Sequence, residues 1–107
     1  MKVKEIMSKE VKYAEVPGTR AEAVELLKSL GVSAIPVVKS DTKELVGMVT
    51  LKKLFENPDE DQLAMLVDRG IPTVRPEDEL QVAAGHILKS GSRRLCVVKD
   101  GELRGII

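Results

Sequence analysis

Apolar residues recur with helical spacing at two places in the chain, and a glycine follows each set. The first set consists of Ala23, Val24, Leu27 and Leu30, followed by Gly31. The second set consists of Leu80, Ala83, Ala84 and Ile87, followed by Gly91. Residues three or four apart share one side of a helix, and glycine is favoured just past a helix end. The pattern therefore predicts two amphipathic helices.

Extended segments and apolar runs surround each predicted helix. A segment next to a proline precedes each helix, at residues 11–16 and 71–75. Two apolar runs follow each helix, at residues 35–38 and 45–49 and again at residues 95–98 and 103–107. Asp100-Gly101 separates the last two runs and is a strong hairpin signal.

Two further helices are predicted between the first hairpin and residue 68. One covers residues 51–55, directly after the second apolar run. The other begins at Pro58 and Asp59, because proline is favoured in the first turn of a helix. Its apolar face would carry Leu63, Leu66 and Val67.

The two halves of the chain are related by an offset of 60 residues. Gly31 aligns with Gly91, and residues 35–39 align with residues 95–99. After a two-residue deletion, residues 44–49 align with residues 102–107. The matched positions are mostly apolar residues or glycines, which is typical of one supersecondary unit used twice. We expect a single module over residues 1–107, made of one repeat at residues 1–56 and a second at residues 57–107.

Each repeat is predicted to fold as a β-α-β-β-α unit, which makes the fold class α/β (α+β). A three-stranded sheet with one or two helices is too small to hide its own apolar face. We therefore expect the two repeats to pack sheet to sheet about an approximate twofold axis. Because ligand pockets favour such junctions, the cleft between the repeats is the expected site.

Composition narrows the range of functions. Tyr13 and Phe55 are the only aromatic residues, which disfavours a platform for stacking single-stranded bases. Lys plus Arg and Asp plus Glu both number 17, so nucleic-acid binding through a basic excess is disfavoured. One cysteine, no signal peptide and no long apolar run are typical of a cytoplasmic protein without membrane association. The 32% of charged residues and the scarce amides suit a thermophilic source.

The chain shows no arrangement typical of catalysis or metal binding. His86 is the only histidine, so we expect no metal site. Cys96 is interpreted as a small buried residue rather than a nucleophile. Acidic runs at residues 59–61 and 77–79 fall at predicted helix starts, where they complement the helix dipole. We therefore predict a protein that is not an enzyme and needs no obligatory cofactor.

The order of these elements resembles a known family. The segments Ile35-Pro-Val-Val38 and Leu45-Val-Gly-Met-Val-Thr50 resemble the CBS domain, and their repetition resembles the CBS pair, or Bateman module. The resemblance covers nearly all of residues 1–107. It implies a regulatory module that senses AMP, ADP, ATP or an S-adenosylmethionine-type ligand between the repeats. It also implies a homodimer and a fused or associated effector domain.

The resemblance implies a set of residues that would hold an adenine nucleotide. The apolar part of this predicted site consists of Val11, Tyr13, Ile35, Pro36 and Met48. The polar part consists of Thr50, Lys53, Arg93 and Arg94, with the two arginines facing phosphate. Gly47 and Thr50 match the family pattern Gly-x-x-Thr-x-x-Asp, but Lys53 stands in place of the aspartate. An ammonium group only donates hydrogen bonds, so Lys53 either faces a phosphate or lies on an exposed helix surface.

Alternatives remain open for the polar residues and for the module. Thr50 can cap a helix that begins at Leu51, and Arg93 and Arg94 can be a solvated pair. The alignment places the counterpart of Thr50 at position 108, so we expect a second repeat truncated at its C-terminus, without its closing helix. The alternative function is a structural or dimerisation module of a larger protein that binds no ligand.

Overall fold

The computed structural model describes residues 1–91 and 94–107 of the 107-residue chain. Two short 3-10 turns, at Val3–Glu5 and Leu63–Leu66, accompany the helices and strands. The helices are α1 (Arg20–Leu30), α2 (Leu51–Glu56) and α3 (Leu80–Ser90). The strands are β1 (Ala14–Val16), β2 (Ala34–Lys39), β3 (Leu45–Thr50), β4 (Thr73–Val74), β5 (Cys96–Lys99) and β6 (Glu102–Ile106). No helix within the described residues is long and apolar enough to cross a membrane.

The chain forms two compact units, one of which is built from two separate stretches of sequence. The continuous unit is Lys12–Ile71. The split unit combines Met1–Val11 with Pro72–Ile107. The first eleven residues thus belong with the elements of the second predicted repeat. The repeat boundaries at residues 56 and 57 concern sequence alignment and stay a prediction.

The continuous unit contains a three-stranded sheet with the order β1-β2-β3. β1 is parallel to β2, and β2 is antiparallel to β3. The helices and the sheet enclose an aliphatic core that includes Leu27, Val37 and Leu54, each at most 1% exposed. Helix α1 begins at a capping box, in which the Thr19 side chain accepts from the Glu22 backbone amide and the Glu22 carboxylate accepts from the Thr19 amide.

The split unit repeats this topology with the sheet order β4-β5-β6. Both sheets carry a register shift at equivalent positions, between Val37 and Val38 and between Val97 and Val98. Gly31 and Gly91 end α1 and α3 in the left-handed conformation, with φ of 66° and 70°. The predicted mixed α and β fold, with one unit used twice, is confirmed.

The N-terminal segment is part of the core of the split unit. Val3 is fully buried in a cluster with Val74, Leu95 and Val97. Its amide donates to the Asp78 carbonyl oxygen at 2.9 Å. Further along, Ser8 and Ile106 exchange two backbone hydrogen bonds of 2.8 and 3.0 Å. The segment thereby pairs with β6 at Ile106.

The prediction of a helix that begins at Pro58 is wrong. The chain over residues 61–63 is held against the start of α1, where the Arg20 amide donates to the Asp61 carbonyl oxygen. The Leu63 amide donates to the Gly18 carbonyl oxygen at 3.0 Å. These backbone groups are therefore not free for helical bonds, and only the turn Leu63–Leu66 forms, with both of its leucines buried.

Candidate functional site

A row of three residues crosses the sheet of the continuous unit on the face opposite its helices. Pro36 in β2 pairs with Met48 in β3. Ala14 pairs with Val37. We extend this register by one residue, which assigns Tyr13, directly before β1, to the position beside Pro36. Side chains alternate between the faces of a strand, and Ala14 and Val37 belong to the helix-facing core. Tyr13, Pro36 and Met48 therefore form one apolar row, which we call the ligand row.

Ile35, also part of the predicted site, lies on the other face of this sheet. Ile35 is 2% exposed in the helix-facing core, and its partner Val49 lies in the same core. The Ile35 side chain thus points away from the ligand row. Val11 is half-buried and belongs to the split unit.

Thr50 lies at the end of β3 and caps α2. Its side-chain oxygen accepts a hydrogen bond from the Lys53 amide at 3.1 Å. Thr50 is exposed, and within the described part of the chain its hydroxyl donates no hydrogen bond. The hydroxyl hydrogen is therefore available to an acceptor oxygen while the cap is kept. The two interpretations of Thr50, helix cap and ligand contact, are compatible.

Lys53 and Arg94 are both exposed side chains. Lys53 lies in the first turn of α2, and Arg94 lies just before β5. Neither forms an ion pair with another described residue. Arg93 lies outside the described residues.

Gly47 allows a second segment of backbone to run along β3. Met48 and Asp68 exchange two backbone hydrogen bonds of 3.0 and 2.8 Å. A Cβ atom on Gly47 would overlap the Asp68 carbonyl oxygen and lie 2.7 Å from a methyl carbon of Val67. The glycine of the family pattern thus has a structural reason in this chain. Sequence inspection missed Asp68, since nothing in a single sequence shows which loop pairs with β3.

The equivalent row in the split unit consists of Thr73, Cys96 and Ile106. Cys96 is 1% exposed, and burial raises the pKa of its thiol to about 11. A thiol in this state is protonated at neutral pH and is a poor nucleophile. Across the described residues, no group of three or more His, Cys, Asp or Glu side chains is arranged to hold a metal ion.

A model of the CBS domain matches residues 3–60 and 63–107 of this chain. The chain belongs to the CBS-domain family. The match confirms the family resemblance found in the sequence. CBS pairs are regulatory modules that are generally not enzymes. The two matches are adjacent and together cover almost the whole chain.

This chain is similar to parts of curated proteins of different length. It is 29% identical to the uncharacterized protein MJ1225 of Methanocaldococcus jannaschii, over 98% of this chain and 39% of that protein. It is 31% identical to the uncharacterized protein YlbB of Bacillus subtilis, over 99% of this chain and 76% of that protein. It is 28% identical to the A-adding tRNA nucleotidyltransferase of Aquifex aeolicus, of which it spans 13%.

Solved structures share the fold over the full chain. The acetoin utilization protein AcuB of Vibrio cholerae has a TM-score of 0.89 and 25% identity, over 100% of this chain and 83% of that chain. CBSX2 in complex with AMP has a TM-score of 0.86 and 27% identity, over 99% of this chain and 88% of that chain. The CBS pair of MJ0100, in complex with 5′-methylthioadenosine and S-adenosyl-L-methionine, has a TM-score of 0.82 and 22% identity, over 100% of this chain and 88% of that chain.

Proposed function

We propose that this CBS pair is a regulatory module that binds an adenine nucleotide or an S-adenosylmethionine-type ligand. The observation that carries the proposal is the apolar ligand row of Tyr13, Pro36 and Met48, with the free hydroxyl hydrogen of Thr50 close by in sequence on β3. Tyr13 and Met48 are half-buried and Pro36 is buried. Apolar side chains of this kind suit an adenine ring, and a nearby donor suits phosphate or ribose oxygens. The AMP complex of CBSX2 supports this ligand class.

Regulation follows if the ligand binds one conformational state more tightly than another. A ligand shifts an equilibrium only by its difference in affinity for the two states. The proposed ligand contacts are the ligand row and Thr50. The phosphate contacts of Lys53, Arg93 and Arg94, and a cleft shared by both repeats, stay predictions from the sequence. The regulated effector would be a fused or associated domain, as the greater length of several relatives suggests.

Calorimetric titration of the chain with AMP, ATP and S-adenosylmethionine tests the proposal. We expect heat of binding with at least one ligand. Thr50→Val should lower the affinity about tenfold, because a hydrogen bond to a charged group is lost, and Thr50→Ser should restore it. Thr19→Val is the matched control, since it removes the cap of α1 and leaves the proposed site intact. If none of the three ligands gives a measurable heat of binding at high protein concentration, the proposal is wrong.

The second candidate function is a dimerisation module that binds no ligand. The observation that favours it is exposed apolar surface on the continuous unit: Phe55 is 60% exposed, Val32 is 39% exposed, and both line one shallow cavity together with Val24 and Leu51. Large exposed apolar side chains that cluster often mark association sites. Light scattering on the titrated samples separates the two functions. A dimer mass without heat of binding supports the second, whereas heat of binding supports the first, for which we also propose a homodimer.

A further inference from the structure

The ammonium group of Lys43 lies over the ring of Tyr13, the aromatic member of the ligand row. The distance from Lys43 Nζ to the ring centroid is 6.0 Å, which is within reach of a cation–π attraction. Lys43 lies in the turn between β2 and β3, whereas Tyr13 directly precedes β1. Because β2 lies between β1 and β3 in the sheet, the Lys43 side chain extends across β2 to reach the ring. One contact thus places a cation on the ligand row.

The turn holds Lys43 in a backbone conformation that lysine rarely adopts. Its φ is 62°, in the left-handed region that glycine and asparagine favour. The Lys43 amide donates to the Lys39 carbonyl oxygen at 2.9 Å, and the Lys39 amide donates to the Glu44 carbonyl oxygen at 2.9 Å. An ion pair of 2.7 Å between the side chains of Lys39 and Glu44 closes the turn. The turn thus fixes where the Lys43 side chain starts, although glycine or asparagine would suit its backbone better.

The contact is not required by the fold, because the split unit is built without it. Thr73 takes the position in its row that Tyr13 takes in the ligand row. The turn between β5 and β6 consists of Asp100 and Gly101, both with positive φ. A lysine at a left-handed position and a ring within its reach are therefore properties of the continuous unit alone.

No carboxylate competes with the Tyr13 ring for the Lys43 ammonium group. Within residues 1–91 and 94–107, none lies within ion-pair distance of it, and the adjacent Glu44 is paired with Lys39. Tyr13 is half-buried and Lys43 is exposed, so the ammonium group covers a side of the ring that faces solvent. A planar ligand that stacks on Tyr13 needs a solvent-facing side of the ring. The ligand and the ammonium group therefore require the same surface.

We infer that Lys43 competes with the ligand for the Tyr13 ring and thereby sets the affinity of the site. This inference rests on the proposed function and adds a regulatory residue to the same site. In the unbound chain the ammonium group occupies the ring, and a ligand that stacks there displaces it. Binding thus releases Lys43 from the face of the sheet. The bound and unbound states then differ in the position of one positive charge, which is a difference that a partner could recognise.

Calorimetric titration of Lys43→Gln with AMP, ATP and S-adenosylmethionine tests this competition. High salt is used, because it screens the long-range force between Lys43 and a charged ligand. We expect each ligand that binds to bind the variant about threefold more tightly, which is the size expected for an exposed cation–π contact. Lys43→Asn should give the same gain with a residue that suits the left-handed backbone. Lys89→Gln, which removes an exposed lysine of α3, is the matched control and should leave the affinity unchanged.

Tyr13→Leu provides the second arm of the experiment, because leucine keeps an apolar side chain and removes the ring. In this background Lys43→Gln should no longer raise the affinity, since the double-mutant cycle isolates the interaction between the two side chains. A gain that persists without the ring would mean that Lys43 acts on another part of the site, and the inference would be wrong.

Proton NMR of the unaltered chain follows the contact directly and does not depend on the variants. Tyr13 is the only tyrosine, and its ring current should shift the Lys43 ε-methylene protons upfield in the unbound chain. A saturating ligand should return them to the position of exposed lysines. If the bound ligand leaves the shift in place, or Lys43→Gln binds no more tightly than the unaltered chain, the inference is overturned and the proposed function stands. If none of the three ligands binds either chain, the proposed function fails and the inference with it.

Discussion

At the residue scale, glycines in this chain have opposite structural roles. Gly47 and Gly105 lie in β3 and β6, each where another backbone segment passes closely. A Cβ atom on Gly105 would lie 2.8 Å from the Ser8 carbonyl oxygen. Gly85 lies within α3, and a Cβ atom there would meet nothing within 4 Å. Close approach therefore requires glycine in the strands and not in the helix.

We expect Gly47→Ala to destabilise the protein by about 1–3 kcal/mol, because overpacking forces the Asp68 backbone away from β3. Gly85→Ala should instead stabilise it by up to about 1 kcal/mol, since alanine is the better helix former. Denaturant unfolding followed by circular dichroism measures both. Equal destabilisation by the two variants would contradict the role given to the Asp68 contact.

At the element scale, α1 and α3 have different N-terminal caps although they occupy equivalent positions. Helix α1 carries its own capping box in Thr19 and Glu22. Helix α3 lacks a side-chain cap at Glu79, and the Leu80 amide donates to the Met1 carbonyl oxygen at 2.9 Å. The start of α1 is thus specified locally, whereas the start of α3 depends on a segment almost eighty positions away in the chain.

The capping box makes the stability of α1 depend on pH. Hydrogen bonds from the Thr19 amide and hydroxyl lower the pKa of Glu22 below its ordinary value of 4.5. A depressed folded-state pKa means that the stabilisation is complete above the unfolded pKa and is lost as the pH falls through the folded one. Glu22→Gln should therefore lower the melting temperature at pH 7 and have a smaller effect at pH 3. Glu25→Gln, elsewhere on α1, is the control for the loss of a carboxylate that takes no part in the capping box.

At the scale of the whole molecule, the compact units do not follow the order of the chain. The continuous unit interrupts the split unit, whose first segment contributes Val3 to the core and Ser8 to the edge of β6. The split unit is therefore incomplete without residues from both ends of the chain. A boundary drawn through the middle of the sequence would not reproduce it.

Disrupting the N-terminal segment should affect one unit selectively. Val3→Asp places an unpaired charge in a fully buried position, which is among the most destabilising changes in a core. We expect faster hydrogen exchange of residues 95–107 and little change at residues 34–50. Ile6→Asp, at a position that is 47% exposed, is the control. Equal loss of protection in both stretches would contradict the assignment of this segment to the split unit.

The sequence by itself determined most of the helices and strands and their repetition. Apolar spacing and terminal glycines predicted α1 and α3 with their ends, because helix formation and capping depend on neighbours a few residues apart. Asp100-Gly101 likewise predicted the last hairpin. The same local information indicated the family, and through the family it indicated Pro36, Met48 and Thr50 as candidate site residues.

Only the tertiary structure decided which distant segments share a core and which face each residue occupies. In the folded chain, the side chain of Ile35 lies in the helix-facing core. Backbone hydrogen bonds to the start of α1 prevent residues 61–63 from forming a helix. Val3 packs in the core of the split unit. Each of these outcomes depends on backbone hydrogen bonds or packing between segments far apart in the chain. Such contacts leave no periodic signal in a single sequence, because the pairing partner is chosen by the folded chain as a whole.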